Sequence, residues 1–592
     1  MHTVVHVTHE AIQKIGGIGA VLQGLLTSRT YLQAAPRNIL VGPFWQTDAT
    51  GDARLGPGGE VLYSSLDHLY RSPLQSRFRE IEQKFGVGII YGRRKFTDKD
   101  TGVTSQPEVL LIDVSRFDPE QIGRFKFEMW EQFGIESSRY DHIHDFEQWM
   151  RLAPPAIEAL HAIGVGTPLQ PACILSHEYM GMPTALAAIL EEQRGGTFRT
   201  IFYAHEVAPI RRIVEAHPGH DTMFYNVMRQ AVASGHYIDE VFGDQSDFYK
   251  TPLVKAAKHC DGIFAVGDFV LKELKFLGPE FLHVNSQLAY NGVPHFPVDV
   301  DARPRSRNLL RKYCNNLLRF EPDYVFSHVT RLVPSKGLWR DLRVLEHLEP
   351  MLRARDETAV LFVLSTEVPG RRSHDVMRME RDYKWPVAHR EGPPDLSGGE
   401  AAFYQGVQEF NACSRNIKVV FINQFGFEQH LCGKRMPAEM EFNDLRKGSD
   451  VEFGQSIYEP FGIAQVEPIS FGGICVFSNV CGCAGFVHKA AGEKPTDNVI
   501  IADYTDIAEH TLRPEQMMSI GQPQRDAVEH KVAQQVAEKI LERLPRTPAD
   551  FAPYIERGQA LANRMSWEVV ARDYVIPGID RAMKANRIRQ IA

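Results

Sequence analysis

The sequence predicts an α/β fold in two similar halves, and three observations predict it. Short β-branched or apolar runs recur along the chain, many alternate with segments of helical period, and one Pro-rich stretch near the middle breaks both rhythms. The runs are 3–8 (TVVHVT), 38–44, 108–114, 172–177, 200–205, 262–267, 324–330, 359–366, 417–423 and 474–478. Apolar runs of this kind, alternating with helices, mark parallel sheets covered on both faces. One helix follows Gly17, where Ile18, Val21, Leu22, Leu25 and Leu26 form a single stripe at helical spacing. A second follows Gly337, with Leu338, Leu342, Leu345, Leu348 and Leu352. Each begins just after a glycine that follows a strand. The domain boundary is placed in NGVPHFPVDVDARPRS, residues 291–306, where three prolines interrupt both periodicities. The expected domains are 1–295 and 296–565, with a C-terminal helix, 566–592, crossing back to the first. Residues 369–399, charged and rich in Pro and Gly, read as an insertion in the second half.

A chain of 592 residues exceeds what one hydrophobic core sustains, and 43% hydrophobic residues can fill two. The net charge of −8, with 24% charged residues, leaves no basic excess to hold nucleic acid by its phosphates. The N-terminus has no basic leader, and no stretch approaches the roughly 18 to 20 apolar residues of a membrane helix. A cytoplasmic protein with neither a nucleic-acid nor a membrane partner is expected. Eight cysteines, of which only Cys475, Cys481 and Cys483 cluster, are too sparse for a disulfide scaffold, so free thiols are expected.

Three constellations could carry chemistry. In HEAIQKIGGIGAVLQGLL, a strand is followed by Lys14, then Gly16, Gly17 and Gly19, then a helix. Bare amides at a helix N-terminus beside a lysine form a site for phosphate oxygens; the alternative is a tight turn with a surface lysine. The spacing G-G-x-G differs from the dinucleotide fingerprint G-x-G-x-x-G, and the next strand ends VGPFW without an acid to hold a ribose. In YVFSHVT-R-LVPS-KG, Arg331 and Lys336 stand between a strand and a helix N-terminus, where two cations can neutralise a diphosphate; solvated surface charges are the alternative. In SIYEPFGIAQVEPISFGG, Glu459 and Glu467 stand eight positions apart. Eight residues span roughly 12 Å along a helix, well beyond the about 5 to 5.5 Å between the carboxylates of a retaining glycosidase, so the two acids are expected to grip different parts of one long ligand. His177 and His205 each end a strand, at the carboxyl edge where open α/β sheets bind ligands. The group Asp141, His142, His144 and Asp145 shows no further ligand, and no metal site is assigned to it.

Together these residues resemble the glycogen and starch synthase group of nucleotide-sugar glycosyltransferases. KIGGIGAVLQ is similar to the family's Lys-x-Gly-Gly phosphate loop, TRLVPSKG to its Arg-x4-Lys donor clamp, and EPFGIAQVE to its Glu-x7-Glu motif. SHEYMGMPTALA, YAHE, CDGIFAVGDFV and YNGV fall between them in the family's order, and HEAIQKIGGI, SIYEPFG and DQSDFYKTPLVKAAKHCDGIFAV lean toward the animal and fungal glycogen synthases. The resemblance spans roughly 3–340 and 450–490. It implies the GT-B fold, two Rossmann-like domains facing a central cleft, with the acceptor side in the first domain and nucleotide-sugar binding in the second.

It also implies roles. Lys14, Gly16, Gly17, Arg331 and Lys336 would face the diphosphate; Glu459 would hold hydroxyls of the transferred sugar and Glu467 the nucleotide ribose. Phe461, Gly462 and Ile463 would present the turn between those acids to the donor. His205 would stand beside the sugar, Arg211 would bind the donor, Asn291 would line its site, and His177 and Glu178 would line the acceptor side. The implied activity is retaining transfer of glucose from a UDP- or ADP-glucose type donor to an α-glucan, with a sucrose- or trehalose-type synthase acting on a small acceptor, or a non-catalytic nucleotide-sugar or glycan sensor, as the alternatives. No cofactor beyond the donor is implied, no metal, and a homo-oligomer is left open. Three departures stand out: Pro468 directly after Glu467, the insertion at 369–399 with an unfamiliar segment at 50–107, and a C-terminus, RAMKANRIRQIA, without the arginine-rich regulatory helix of the animal and fungal enzymes.

Overall fold

All ten apolar runs form strands. In the computed structural model the described residues are 1–45, 49–216, 220–294, 301–368, 370–507 and 512–585. Residues 295–300, which contain the predicted boundary, Pro369 of the predicted insertion, and the last seven residues of RAMKANRIRQIA lie outside them. The chain forms two units: Met1–Arg212, His236–Gly292 and Trp567–Ala592 make unit 1, and Ile213–Gly235 with Val293–Ser566 makes unit 2. The segment 213–235 thus packs with unit 2, although it precedes the sequence boundary.

The strands of unit 1 are β1 (Thr3–Val7), β2 (Arg37–Pro43), β3 (Glu60–Ser64), β4 (Leu69–Tyr70), β5 (Gly88–Arg93), the short pair β6 (Phe96–Thr97) and β7 (Thr104–Ser105), β8 (Glu108–Asp113), β9 (Ala172–His177), β10 (Phe198–Ala204), β11 (Gly262–Ala265) and β12 (Ser286–Leu288). Among the described residues they form a ten-stranded sheet in the order β12-β11-β10-β9-β1-β2-β8-β5-β3-β4, with β6 and β7 paired separately. From β12 to β8 every pairing is parallel, while β5, β3 and β4 add antiparallel. The unfamiliar segment 50–107 therefore lengthens one edge of the sheet. The chain runs from β1 outward to β2 and β8, then returns to β9 on the other flank of β1, so the strand order reverses between β1 and β9. The helix Gly17–Leu26 buries Ile18, Val21, Leu22, Leu25 and Leu26, the stripe read from the sequence.

In unit 2, β13 (Tyr324–Val329), β14 (Ala359–Leu364), β15 (Ile417–Ile422), β16 (Val451–Gly454), β17 (Ile474–Ser478) and β18 (Val499–Ala502) form an all-parallel sheet in the order β15-β14-β13-β16-β17-β18. Alternate residues feed two cores: Phe326, Leu361 and Val363 join Leu345, Leu348 and Leu352 on one face, while Val325, Val360 and Phe362 join Tyr313, Trp385 and Phe427 on the other. Burial on both faces explains why these strands read as continuous apolar runs. The predicted insertion is an anchored element. It carries the helix Ser373–Tyr383, buries Trp385 completely with Nε1–H donating to Asn423 Oδ1 at 2.8 Å, and ties Arg371 to the buried Glu400 at 2.5 Å. No described helix is long and apolar enough to cross a membrane.

Candidate functional site

The order of the unit 2 sheet reverses between β13 and β16, and open parallel sheets bind ligands beyond the strand ends at such a point. The two strands align Phe326 with Val451 and Ser327 with Glu452, so the loops that leave their carboxyl ends start side by side. The β13 loop carries Arg331 and Lys336, and the β16 loop carries Glu459. Lys336 Nζ lies 2.6 Å from Glu459 Oε2, which joins two motifs 123 residues apart. Both side chains are mostly buried, 9% and 17% exposed, so this is not a solvated surface pair. Arg331 is exposed and makes no ion pair among the described residues.

The backbone locks this arrangement. Ile457 N–H and Tyr458 N–H both donate to Ser335 O, at 2.8 and 3.2 Å. Gly337 closes the turn at φ +60°, and a Cβ there would stand 2.7 Å from Gln455 O; only glycine suits both demands. The helix Leu338–Arg353 starts immediately afterwards, so its first amides and the positive end of its dipole lie beside the pair. Beneath it, the fully buried Arg340 donates to Glu529 Oε1 at 2.9 Å and to Gln455 O at 3.1 Å, and its guanidinium sits 3.8 Å from the centroid of the Tyr504 ring. Tyr504 O–H donates to Gln455 Oε1 at 2.7 Å, and Gln455 Nε2 to Asp341 Oδ1 at 3.0 Å.

Beyond Glu459 the chain does not run as one helix to Glu467. Gly462 takes φ +89°, Ile463–Val466 makes a single α-turn, and a 3-10 turn, Glu467–Phe471, follows with Pro468 at its start. Proline breaks the helix at its first turn, where its missing N–H costs least. Phe461 is buried, and its carbonyl accepts from Cys483 N at 2.8 Å. Glu467 Oε2 lies 3.2 Å from Nε of the buried Arg446, whose Nη1 lies 3.0 Å from the buried Glu452. Neither Arg446 nor Glu452 was read from the sequence, because neither lies in a motif and Glu452 sits inside a four-residue strand.

In unit 1 the reversal point lies between β1 and β9. The glycine loop after β1 keeps Lys14, Gly16 and Gly17 exposed. Two of its amides already have an acceptor: Glu10, which is buried, takes Ile15 N–H at 2.5 Å and Gly16 N–H at 2.8 Å. Sequence reasoning missed Glu10, which lies outside the glycine spacing. Ala20 N–H donates to Gly16 O at 3.2 Å, so the amides at the helix start that are left for an anion are those of Gly17, Ile18 and Gly19.

His177 ends β9 and is fully buried. Its Nδ1 lies 2.8 Å from His205 Nε2, and its Nε2 lies 3.0 Å from Nδ1 of His6 on β1. Burial lowers all three rings: His6 to about 4 against a weak opposing bond from Asn38, His205 to about 3 with His9 adding to the effect, and His177 well below its ordinary value with His205, His6 and His9 adding. The rings are neutral at pH 7. Glu178 starts the next helix at φ +62°. It accepts Glu206 N–H at 2.5 Å, while burial and then the charge of Glu206 push its carboxyl well above the usual range against backbone bonds from Glu206 and His205. Arg211 Nη1 donates to Glu206 Oε2 at 2.9 Å. Glu178 Oε2 and Asn291 Oδ1 are buried without a partner among the described residues; with the Glu178 carboxyl protonated and its Oε1 taken by Glu206 N–H, the first offers an O–H donor and the second an acceptor to a ligand's hydroxyl.

Of the metal candidates, Asp145 accepts from Tyr179 O–H at 2.6 Å and Tyr249 O–H at 2.5 Å, and Asp141 pairs with Lys126 at 2.7 Å. Among the described residues no group of His, Cys, Asp and Glu is arranged to hold a metal ion.

The chain matches no protein-family model and no curated relative. It is similar to solved structures over nearly its whole length. An α,α-trehalose-phosphate synthase (UDP-forming) from Burkholderia vietnamiensis is 13% identical, with 99% of this chain and 100% of that one covered and a TM-score of 0.49. The catalytic domain of starch synthase IV from Arabidopsis thaliana, bound to ADP and acarbose, is 16% identical, with 92% and 99% covered and a TM-score of 0.47. A sucrose-phosphate synthase from Thermosynechococcus elongatus is 12% identical, with 97% of each chain covered and a TM-score of 0.49. Each is a likeness at low identity and assigns no role to any residue here.

Proposed function

We propose that this chain is a retaining glucosyltransferase that moves glucose from a nucleoside-diphosphate sugar to an α-glucan. The observation that carries the proposal is the joining of Lys336 to Glu459, 2.6 Å apart, at the reversal point of a parallel sheet and beside the start of the helix Leu338–Arg353. A cation and a helix N-terminus suit a diphosphate, and a carboxylate suits sugar hydroxyls. Lys336, with Arg331 on the same loop, is assigned to the diphosphate. Glu459 is assigned to the sugar, Glu467 to the ribose and the turn Phe461–Gly462–Ile463 to the donor. In unit 1, Lys14, Gly16, Gly17, Arg211 and Asn291 are assigned to the donor, His205 to the sugar, and His177 with Glu178 to the acceptor side, as the resemblance implies.

The chemistry follows from charge. As the glycosidic carbon separates from the diphosphate, negative charge grows on the β-phosphate and the carbon becomes oxocarbenium-like. Cations and amides held in place beforehand stabilise that state more than the ground state. The acceptor hydroxyl attacks from the face the diphosphate leaves and gives its proton to the departing β-phosphate oxygen, which keeps the α configuration, and no covalent nucleophile is assigned. A donor screen across uridine, adenosine and guanosine diphosphate sugars, followed by product analysis with labelled donor, tests the proposal. Lys336→Ala and Glu459→Ala are each expected to slow transfer by about 10²- to 10³-fold. Unchanged transfer in both, or no nucleotide-sugar bound by the wild type, would sink it. A labelled disaccharide in place of a chain would move the acceptor to a small sugar.

A further inference from the structure

Asn38 on β2, Tyr31 on the helix Arg29–Ala34, His6 on β1, His177 on β9 and His205 just after β10 form one hydrogen-bonded file. Asn38 Nδ2 lies 2.7 Å from Ala35 O. A carbonyl only accepts, so the amide nitrogen faces it and Asn38 Oδ1 is the end turned to the file. That oxygen lies 3.0 Å from Tyr31 Oη and 3.4 Å from His6 Nε2, while Tyr31 Oη lies 3.0 Å from His6 Nε2. All three groups are buried.

Only one arrangement of protons satisfies these contacts. If Tyr31 gave its proton to His6, its oxygen would face Asn38 Oδ1 with no proton between them, and His6 Nε2 would face the same oxygen with no proton either. With Tyr31 O–H donating to Asn38, His6 must donate through Nε2–H to the tyrosine oxygen. A neutral imidazole carries one N–H, so His6 Nδ1 is then an acceptor. It lies 3.0 Å from His177 Nε2, which must donate; His177 Nδ1 then accepts, 2.8 Å from His205 Nε2, which must donate in turn. Burial, which holds all three rings neutral, supports the premise.

We infer that this file is a tautomer relay: Asn38, Tyr31, His6 and His177 are positioning residues that fix His205 with its proton on Nε2 and leave Nδ1 as a bare hydrogen-bond acceptor. Among the described residues nothing hydrogen-bonds to that Nδ1. It is a fixed acceptor for a ligand hydroxyl; naming that ligand as a sugar rests on the proposed glucosyl transfer, whereas the tautomer does not. The stacking of His177 on His205, with ring centroids 5.1 Å apart and planes 9° from parallel, keeps the rings from turning independently.

The test reads the ring nitrogens of histidine-labelled full-length protein by NMR at neutral pH, with His205 assigned from the signal that His205→Gln removes. The wild type is expected to show His205 protonated at Nε2 and bare at Nδ1. His6→Asn, whose Oδ1 stands near the place of Nδ1, is expected to keep that single tautomer, and His6→Leu to lose it. Asn38→Leu frees the tyrosine proton to turn toward His6, so it is expected to reverse the file and move the His205 proton to Nδ1. A wild-type His205 carrying its proton on Nδ1, or on both nitrogens, would overturn the relay whatever the variants do, and so would an unchanged tautomer in Asn38→Leu. Transfer assayed on the same samples separates the two proposals: an inactive wild type with the expected tautomer supports the relay and removes only its sugar.

Discussion

At Glu178 two costs meet in one residue. Its backbone is left-handed, φ +62°, which costs a residue with a Cβ roughly 1 to 2 kcal/mol, and its carboxyl is buried beside Glu206. Such an expense at a strand end marks a position held for a purpose other than stability. The titration has a definite sign. Burial raises the folded carboxyl well above its ordinary value of 4.5, so the folded chain keeps this proton while the unfolded chain loses it. The associated stability is whole below the unfolded value and drains away as the pH rises toward the folded one. Glu178→Gln, which keeps a side-chain oxygen to accept Glu206 N–H and cannot ionise, is therefore expected to gain thermal stability over the wild type by an increment that grows with pH above 4.5. Melting both proteins across a pH series checks this; a constant or shrinking increment would contradict the burial.

Among the elements, the loop joining β13 to the helix Leu338–Arg353 is the most tightly determined. Gly337→Ala would force a side chain into φ +60° and to within 2.7 Å of Gln455 O, and it is expected to cost about 1 to 3 kcal/mol. Denaturant unfolding followed by a probe in unit 2 measures it, and transfer should fall with it because Lys336 is the preceding residue. This loop also shows what the sequence could reveal. The strand before it and the leucine stripe after it were legible because burial on two faces leaves long apolar runs and a 3.6-residue stripe leaves its period. β16 was not legible: four residues, VEFG, are too few to show a period, although they aim Glu459 at Lys336. The histidine file was hidden differently. His177 and His205 each announced themselves as strand ends, but only the pairing of β1 with β9, with His6 opposite Leu175, brings His6 to them. Glu10 and Arg446 act through hydrogen bonds and ion pairs that only the folded chain assembles, and spacing rules carry no signal for that.

For the molecule as a whole, the C-terminal segment is a structural part of unit 1. Trp567 lies against Gly24 and Gly292, where added Cβ atoms would come within 2.1 and 2.4 Å of its ring. Glu568 receives Ser28 O–H at 3.0 Å and the amides of Arg29 and Thr30 at 2.8 and 2.9 Å, capping the helix Arg29–Ala34, and Asp580 holds His2 at 2.6 Å. Ending the chain at Ser566 is therefore expected to strip hydrogen-exchange protection from β1 and β2 while β13 to β17 keep theirs; equal loss in both sheets would show that the segment acts on more than unit 1. The same contacts dictate an order of events during synthesis. Strand β1 belongs to a body whose residues from Trp567 onward are translated more than five hundred codons later, so unit 2 has its own sequence in hand before unit 1 does, and the strands of unit 1 must stay out of aggregates until that segment arrives.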